Sequence, residues 1–323
     1  MLDILAITGP IYLCVLAGYA AVRWGMFSKA DMRVFGRFVL DVSLPALLFY
    51  TLASRPLSDV LRPGYLLVYT AGSLLVLGGG LLWSWKARGR TLTESAYLAM
   101  GMSCANSGFV GYPLMLLLFG PLGGVILALN FIIENLIKLP LLIALADAGA
   151  HEGPRQTVLR VIRQTLARLA RNPIIIGIVL GCAVAISGWQ LPAVLSRAVT
   201  LFSGAAGGLA LFIIGGSLSG LQLKGMRSQV AQVAIGKLLL HPAAIWAVIV
   251  LFGQLGWPVP VGELKVAAVL SAAMPMLGVY AVLAQRHGHE EFSSAALLVT
   301  TGLSFFSISA ILWLMRHSAG WLA

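Results

Sequence analysis

Residues 94–118 read ESAYLAMGMSCANSGFVGYPLMLLL, an apolar run that glycine, serine, asparagine and proline interrupt near its middle. The run is long enough to cross the ~30 Å hydrocarbon core of a bilayer as a helix. Pro113 lacks a backbone N–H and its ring clashes with the preceding turn, so a helix is weakened there. The interruption begins near Asn106, about a dozen residues into the run, or ~18 Å along a helix axis. The stretch therefore predicts a helix that is broken near the middle of a membrane, between Gly108 and Pro113.

A second apolar run, residues 262–286, has a similar break at Met274–Gly278, which reads MPMLG. Unwound backbone at membrane depth is tolerated where it is buried in protein or lines a wet cavity. Two broken helices that meet would expose backbone N–H groups, whose partial positive charge suits an anion. The alternative is a pair of proline kinks in structural helices. Because the breaks occupy corresponding positions of a repeat, we favour a binding site.

The whole chain has the composition of a membrane protein. Of its 323 residues, 59% are hydrophobic and 10% are charged, and the mean hydropathy is +0.93. A soluble domain of this size needs more charge to cover its surface. Backbone groups in lipid must be bonded within their own segment, so the apolar runs of 18 to 25 residues require helices. The composition predicts an all-α integral membrane protein.

Short polar segments divide the chain into ten apolar runs, and each run is a predicted transmembrane helix. They cover residues 4–22, 34–53, 64–85, 94–118, 122–146, 173–188, 193–220, 229–253, 262–286 and 293–316. The longest hydrophilic interruption, residues 147–172, lies between two sets of five runs. We therefore expect a first repeat over residues 1–146, a basic linker over 147–172 and a second repeat over 173–323.

The net charge of +11 is explained by membrane topology rather than by nucleic-acid binding. If the N-terminus is outside, 15 of the 22 Lys and Arg residues fall on the cytoplasmic side and 5 on the outer side. This asymmetry predicts a multi-pass protein of the cytoplasmic membrane with both termini outside and residues 147–172 in the cytoplasm. Basic residues of that linker are expected to contact anionic lipids.

The two halves of the chain share residues at matching positions. Three residues in or just after the fourth run recur at the ninth with one offset of 168: Ser103, Tyr112 and Gly120 match Ser271, Tyr280 and Gly288. Five helices per half is an odd number, so the halves must be inverted relative to one another. We expect two inverted five-helix repeats in which the broken helices 4 and 9 cross, an arrangement typical of transporters.

Ionisable residues inside membrane spans are costly and are candidate functional groups by default. Glu134 and Lys138 lie four residues apart on the fifth run, so they share one face with Asn130 and are placed to pair. Lys237 and His241 repeat that spacing on the eighth run. In one interpretation these groups contact a substrate carboxylate or form a proton relay. The other is a structural network in which Lys237 neutralises Glu134. Both stay open, and Lys138 is expected to extend to the cytoplasmic interface.

The remaining polar candidates point to simpler roles. Asp41, about two turns into the second run, is either a proton-coupling carboxylate or a salt-bridge partner of Arg37, and we favour the salt bridge. The three cysteines have no paired spacing and are interpreted as small buried hydrophobes. His241 is the one histidine deep in a predicted span, which argues against a histidine-rich metal site. We expect neither a metal nor a cofactor.

Four motifs of the sequence resemble the auxin efflux carrier family. They are Asn106-Ser107-Gly108-Phe109-x-Gly111-x-Pro113 in the fourth run, Met274-Pro275 in the ninth, Val42-Ser43-Leu44-Pro45 in the second and Lys237-x-x-x-His241-Pro242 in the eighth. The family includes plant auxin carriers and bacterial carriers of malonate and malate. This sequence lacks the long central hydrophilic loop of the plasma-membrane plant carriers, so it is similar to the compact bacterial type.

The resemblance, which covers essentially the whole chain, implies a crossover fold like that of bile-acid symporters. Helices 1, 2, 6 and 7 would form a scaffold, and helices 3–5 and 8–10 a transport domain. The substrate would lie where helices 4 and 9 cross. The expected substrate contacts are Asn106, Ser107, Gly108, Gly111, Pro113, Lys237, His241, Ser271, Met274 and Pro275. The expected coupling or ion-pair residues are Asp41, Asn130, Glu134 and Lys138.

The sequence thus predicts a secondary transporter that moves small organic anions, such as mono- or dicarboxylates, by alternating access. An intramembrane enzyme is one alternative, but it would need a nucleophile–base pair or metal ligands, and no such signature is evident. A channel or a membrane receptor is the other. A channel would lack a saturable site, and a receptor would usually carry a soluble output domain. Proton or sodium coupling, the direction of transport and a homodimeric state stay open.

Overall fold

The computed structural model describes residues 2–56, 61–150, 163, 166–167, 169–217 and 226–317, and every regular element in these ranges is helical. The helices discussed below are α1 (Leu2–Arg23), α2 (Lys29–Ala53), α3 (Pro63–Ala87), α4 (Leu92–Ser103), α5 (Tyr112–Phe119), α6 (Leu122–Gly149), α7 (Pro173–Ser187), α8 (Ala193–Ser217), α9 (Arg227–Gln254), α10 (Glu263–Ala273), α11 (Tyr280–Gln285) and α12 (Glu290–His317).

Within the described ranges, seven helical stretches of 25 to 28 residues are long and apolar enough to cross a membrane. Two shorter apolar helices, Gly9–Arg23 and Pro173–Ser187, add to these. The predicted all-helical membrane class is confirmed. The ten-span count and the inverted repeat stay predictions, and most of the predicted linker, residues 147–172, lies outside the described residues.

Four π-helical turns in the described chain each lie just before a proline. They are Val39–Ser43 before Pro45, Ser107–Gly111 before Pro113, Glu134–Lys138 before Pro140 and Gly236–Leu240 before Pro242. In a regular helix the proline ring collides with the carbonyl four residues earlier. That carbonyl lies inside the π-helical turn in every case, and the wider turn makes room for the ring. The prolines therefore bend or widen these helices without ending them.

The same π-helical turns contain the charged residues that the sequence singled out. Asp41 lies in the first of them, Glu134 and Lys138 bound the third, and Lys237 lies in the fourth. A widened turn leaves backbone groups less regularly bonded and often marks a functional site. Because charged residues and irregular backbone occur together in these turns, the turns are candidate parts of a functional site.

The break in the fourth run is displaced from its predicted position. Helix α4 ends at Ser103 and Cys104 is extended, so the interruption covers Cys104–Asn106 and not the predicted Gly108–Pro113. That prediction was wrong because the π-helical turn Ser107–Gly111 accommodates Pro113 and keeps the chain helical. In the ninth run, α10 ends at Ala273 and α11 begins at Tyr280, so the interruption contains the predicted Met274–Gly278.

The first of two compact units comprises residues 1–62, 108–129 and 166–220. In it α1 packs along α8, and α2 packs against α7 and α8. The helices approach closely because glycines face backbone carbonyls: a Cβ on Gly18 would overlap Phe212 O, and a Cβ on Gly215 would overlap Val15 O. Small residues at such crossings are the usual means by which membrane helices pack.

The second compact unit comprises residues 63–107, 130–165 and 221–323. Here α3 packs against α4 and α9, the second half of α6 packs against α4, and α9 packs against α10 and α12. Tyr65, Tyr69 and Tyr280 are among its largest fully buried side chains, and so are Lys138 and Lys237. Two lysines at the centre of an apolar core require an explanation, because buried charges are costly unless they are bonded.

Candidate functional site

The two interrupted helices are joined directly by their backbones. The backbone N–H of Asn106, just beyond α4, donates to the carbonyl of Pro275, just beyond α10, at 2.8 Å. Asn106 and Met274 are both buried. The two interruptions of this unit therefore form one junction, and the polar groups around it make the candidate site.

A salt bridge on α6 bonds the end of α4 and the first interruption that follows it. Lys138 Nζ lies 2.6 Å from Glu134 Oε1, and the same oxygen accepts the Ala105 N–H at 3.0 Å. Lys138 Nζ also donates to the carbonyl of Ser103, the last residue of α4, at 2.7 Å. A cation at a helix C-terminus is favoured because the carbonyls there are unpaired and partly negative. The predicted pairing of Glu134 with Lys138 is confirmed.

Lys138 does not extend to the membrane interface, contrary to expectation. Its side chain is fully buried, and its ammonium group is bonded to Glu134 and to the Ser103 carbonyl. A carboxylate and a helix-end carbonyl together replace the water that the ammonium would otherwise seek. The internal partners therefore remove the reason to reach the interface.

A second lysine bonds the end of the other interrupted helix. Lys237 Nζ donates to the carbonyl of Ala272 at 2.9 Å and lies 2.8 Å from His241 Nδ1. Lys237 and His241 are fully buried. Each of the two buried lysines thus bonds a carbonyl near the C-terminal end of one interrupted helix, Ser103 in α4 and Ala272 in α10. This parallel between the interruptions was not visible in the sequence.

We assign to His241 the tautomer in which Nδ1 accepts from Lys237, because a lysine ammonium group has no acceptor and a neutral amine can also donate. The other ring nitrogen, Nε2, then carries the proton and lies 2.9 Å from Ser73 Oγ. In this tautomer the imidazole is neutral, and its ring packs at 5.8 Å from the ring of Tyr69.

A ring of neutral hydrogen bonds lies beside the lysines. Tyr65 Oη donates to Asn130 Oδ1 at 2.8 Å, and Asn130 Nδ2 donates to Ser271 Oγ at 3.0 Å. These three buried side chains connect α3, the middle of α6 and α10. The predicted candidates Asn130 and Ser271 are thereby brought together.

Sequence reasoning missed the contribution of α3. Tyr65, Tyr69 and Ser73 are spaced by four residues and lie along one buried face of this helix. A polar stripe at that spacing inside an apolar run was the available signal. Tyr65 bonds the Asn130–Ser271 ring and Ser73 bonds His241, so α3 forms one wall of the site.

Five buried polar atoms of this unit have no hydrogen-bond partner among the residues that the structure describes. They are Tyr69 Oη, Ser95 Oγ, Ser107 Oγ, Glu134 Oε2 and Ser293 Oγ. Buried polar atoms are almost always bonded, so each such atom needs an explanation. An anionic ligand held at the junction would supply an acceptor for the hydroxyls of Tyr69 and Ser107.

The site has one more basic group than it has carboxylates. Glu134 pairs with Lys138, and in the described part of the chain no carboxylate lies within 4.0 Å of Lys237. A direct Lys237–Glu134 salt bridge is therefore absent from the described residues, whereas the buried ion pair that the structural interpretation expected is formed by Glu134 and Lys138. The surplus basic group makes the junction suitable for an anion.

Four of the predicted site residues lie in the other compact unit. Gly108, Gly111 and Pro113 are buried in the first unit, and Asp41 is exposed there. The favoured salt bridge between Asp41 and Arg37 was wrong: both side chains are exposed, and no such pair occurs within 4.0 Å. Solvation of both groups makes a pair on this surface unnecessary. No cluster of three metal-ligating side chains occurs among the described residues.

Comparisons with known proteins extend over nearly the whole chain. A family model described as "Membrane transport protein" matches residues 8–314. The "Putative malonate transporter" of Rhizobium meliloti (strain 1021) is 27% identical over 99% of this chain and 98% of its own length. An uncharacterized transporter of Escherichia coli (strain K12) is 28% identical over 73% of this chain and 75% of its own. The "Auxin efflux carrier component 3a" of Oryza sativa subsp. japonica is 28% identical over 46% of this chain and 24% of its own.

Proposed function

Because the chain belongs to the auxin efflux carrier family of membrane transport proteins, we propose that it is a secondary transporter of small organic anions. Mono- and dicarboxylates are the substrate class. A relative that this chain matches over nearly its full length is named for malonate, which makes malonate the first compound to test. The proposed location is the cytoplasmic membrane, with both termini outside and residues 147–172 in the cytoplasm.

The observation that carries this proposal is the buried junction of the second unit. Two interrupted helices meet there, and two buried lysines accompany one buried carboxylate. Basic groups held inside a membrane protein without an equal number of carboxylates favour an anionic ligand, which offsets the cost of burying them. A site at the interrupted part of two helices is also a recurring plan among secondary transporters.

Named groups at the junction can bind a carboxylate. The Asn106 amide both donates and accepts hydrogen bonds, and the hydroxyls of Tyr69 and Ser107 are buried donors without a partner in the described chain. Lys237 supplies the charge. We assign substrate binding to these four residues, with Glu134 and Lys138 holding the first interruption in shape.

The overall arrangement follows from the same proposal. Residues 1–146 and 173–323 are taken as inverted repeats, and alternating access moves the junction between the two sides of the membrane. Gly108, Gly111 and Pro113 then shape the helix that continues from the junction rather than binding the substrate.

Counterflow in proteoliposomes tests the function. Vesicles that contain the purified protein and unlabelled malonate should accumulate external radiolabelled malonate transiently, because a carrier exchanges one molecule for another. A panel of small mono- and dicarboxylates defines the range. A channel would equilibrate the label without the transient, and an enzyme would convert it to a product.

The Asn106→Ala variant tests the site. It should lower counterflow at least about tenfold, the loss expected when a hydrogen bond to a charged group is removed. The matched control is Asn135→Ala, because the Asn135 amide bonds the Phe131 carbonyl of its own helix outside the junction. Both variants should stay folded and monodisperse in detergent. Wild-type exchange by Asn106→Ala would remove this amide from the site.

A further inference from the structure

The contacts of Lys237 carry an inference about coupling that rests on the proposed function. Lys237 Nζ has two hydrogen-bond partners in the described chain, the Ala272 carbonyl and His241 Nδ1. We propose that Lys237 takes up a proton together with the substrate anion and releases both together, so that this side chain couples transport to protons.

The number of partners matches the neutral amine. An uncharged lysine side chain has two N–H bonds, and the two acceptors beside Nζ satisfy both. The ammonium form has three, so protonation adds one N–H that no described residue accepts. A substrate carboxylate is the acceptor that this third hydrogen requires.

The charges around Lys237 also favour the amine until an anion arrives. Glu134 and Lys138 neutralise one another in a salt bridge. The other titratable groups nearby are neutral: His241 on α9 accepts from Lys237, the Cys104 thiol follows α4, and the phenol of Tyr69 lies on α3. A proton added to Lys237 therefore creates an uncompensated charge in a fully buried position, which is costly.

An anion and a proton at this place stabilise each other. The anion offsets the charge of the ammonium, and the ammonium donates its third hydrogen to the anion. Linkage makes the two effects equal. Bound substrate raises the proton affinity of Lys237 by some factor, and protonation of Lys237 raises the substrate affinity by the same factor. In the proton step the amine lone pair forms an Nζ–H bond as an O–H bond of a hydronium ion on the open side breaks. On release that Nζ–H bond breaks and water on the other side takes the proton.

Calorimetry on the purified full chain tests the inference. Malonate is titrated at one pH into protein in two buffers of different ionisation enthalpy, which gives the number of protons taken up on binding. Wild-type protein should take up about one proton per bound malonate beyond the protons that malonate itself exchanges in buffer. Lys86→Gln, which removes an exposed lysine charge outside the junction, should behave as wild type.

Two substitutions at Lys237 separate binding from coupling. Lys237→Gln should bind malonate at least about tenfold more weakly, because the charged hydrogen bond is lost, and should take up no extra proton. Lys237→Arg keeps a permanent charge. It should still catalyse counterflow, but an imposed pH gradient should no longer drive its net uptake of malonate. If the arginine does not fit and the variant misfolds, the wild-type proton count still decides.

The outcomes distinguish this inference from the proposed function. Absence of counterflow with every carboxylate would overturn both. Counterflow without extra proton uptake by wild-type protein would overturn the inference alone. Proton uptake that persists in Lys237→Arg and disappears in Glu134→Gln would also overturn it, because the unpartnered Glu134 Oε2 would then be the proton site.

Discussion

In the first unit the helices touch at Gly18, Gly177 and Gly215, each facing a backbone carbonyl, whereas the core of the second unit contains Glu134 and two lysines. No charged side chain is buried among the described residues of the first unit. Glycine contacts fix helix against helix at little cost. Buried charges cost stability and persist where function needs them. Under the proposed function, the first unit gives structural support and the second unit binds the substrate.

The largest expected effect tests whether the charges of the second unit also hold it together. Lys138→Met leaves the Glu134 carboxylate buried without its cation, which should lower the free energy of unfolding by about 3–5 kcal/mol. The double variant Glu134→Leu/Lys138→Met should recover most of that loss, since no charge is left uncompensated. Thermal unfolding of the purified variants in detergent measures both.

The matched control is another salt bridge with the same spacing. Arg90 and Glu94 are also four residues apart, and Arg90 Nη1 lies 2.8 Å from Glu94 Oε1, but their side chains are 14% and 22% exposed. Arg90→Met should cost only about 0–1 kcal/mol. Equal losses for Lys138→Met and Arg90→Met would mean that burial does not distinguish the second unit.

A smaller loss is expected from the glycine contacts of the first unit. The Gly215→Ala Cβ would overlap the Val15 carbonyl, so α1 and α8 must separate, at a cost of about 1–3 kcal/mol. Gly204→Ala, on the same helix, has open space around its Cβ and should be neutral or stabilising by about 0.5–1 kcal/mol. Thermal unfolding should rank the two variants in this order. The reverse order would show that the first unit does not depend on close backbone approach.

The smallest expected effect is on the pH dependence of stability in the second unit, through His289, which precedes α12. Burial lowers the pKa of His289, an effect that Glu94 and Glu290 partly oppose. The unfolded chain therefore binds a proton at this residue more readily than the folded protein, so acidification destabilises the fold. His289→Gln should reduce the loss of melting temperature between about pH 7.5 and 5.5. The change should stay below about 0.5 kcal/mol because His289 is partly exposed to solvent. An unchanged pH dependence would exclude His289 as the cause.

Spacing by four residues within one helix placed three pairs of side chains on a common face, and two of the pairs form. Glu134 bonds Lys138 and Lys237 bonds His241. Arg37 and Asp41 have the same spacing, but both are exposed and they do not pair. The family and the two interrupted helices were also accessible, because motifs and prolines are local features.

The missed features depend on backbone groups and on distant helices. Every residue has a carbonyl, so nothing in the sequence marks Ser103 and Ala272 as the acceptors of Lys138 and Lys237. The displaced first interruption has a similar cause. The N–H groups of Ala105 and Asn106 leave the helix because partners on α6 and beyond α10 are available in the folded protein. The composition of the run favours a break in the helix but does not determine at which residue the break occurs.

The placement of the lysine partners also bears on how the chain is inserted during synthesis. Glu134 and Lys138 are on one helix and can pair as soon as α6 is helical, so these two charges can enter the lipid already neutralised. The Ala272 acceptor of Lys237 is on α10, which the ribosome makes after α9. A lone lysine near a helix centre costs about 2.5–3.5 kcal/mol on insertion. Helix α9 must therefore enter on the strength of its apolar residues, and the Lys237 nitrogen acquires its carbonyl partner only when α10 follows.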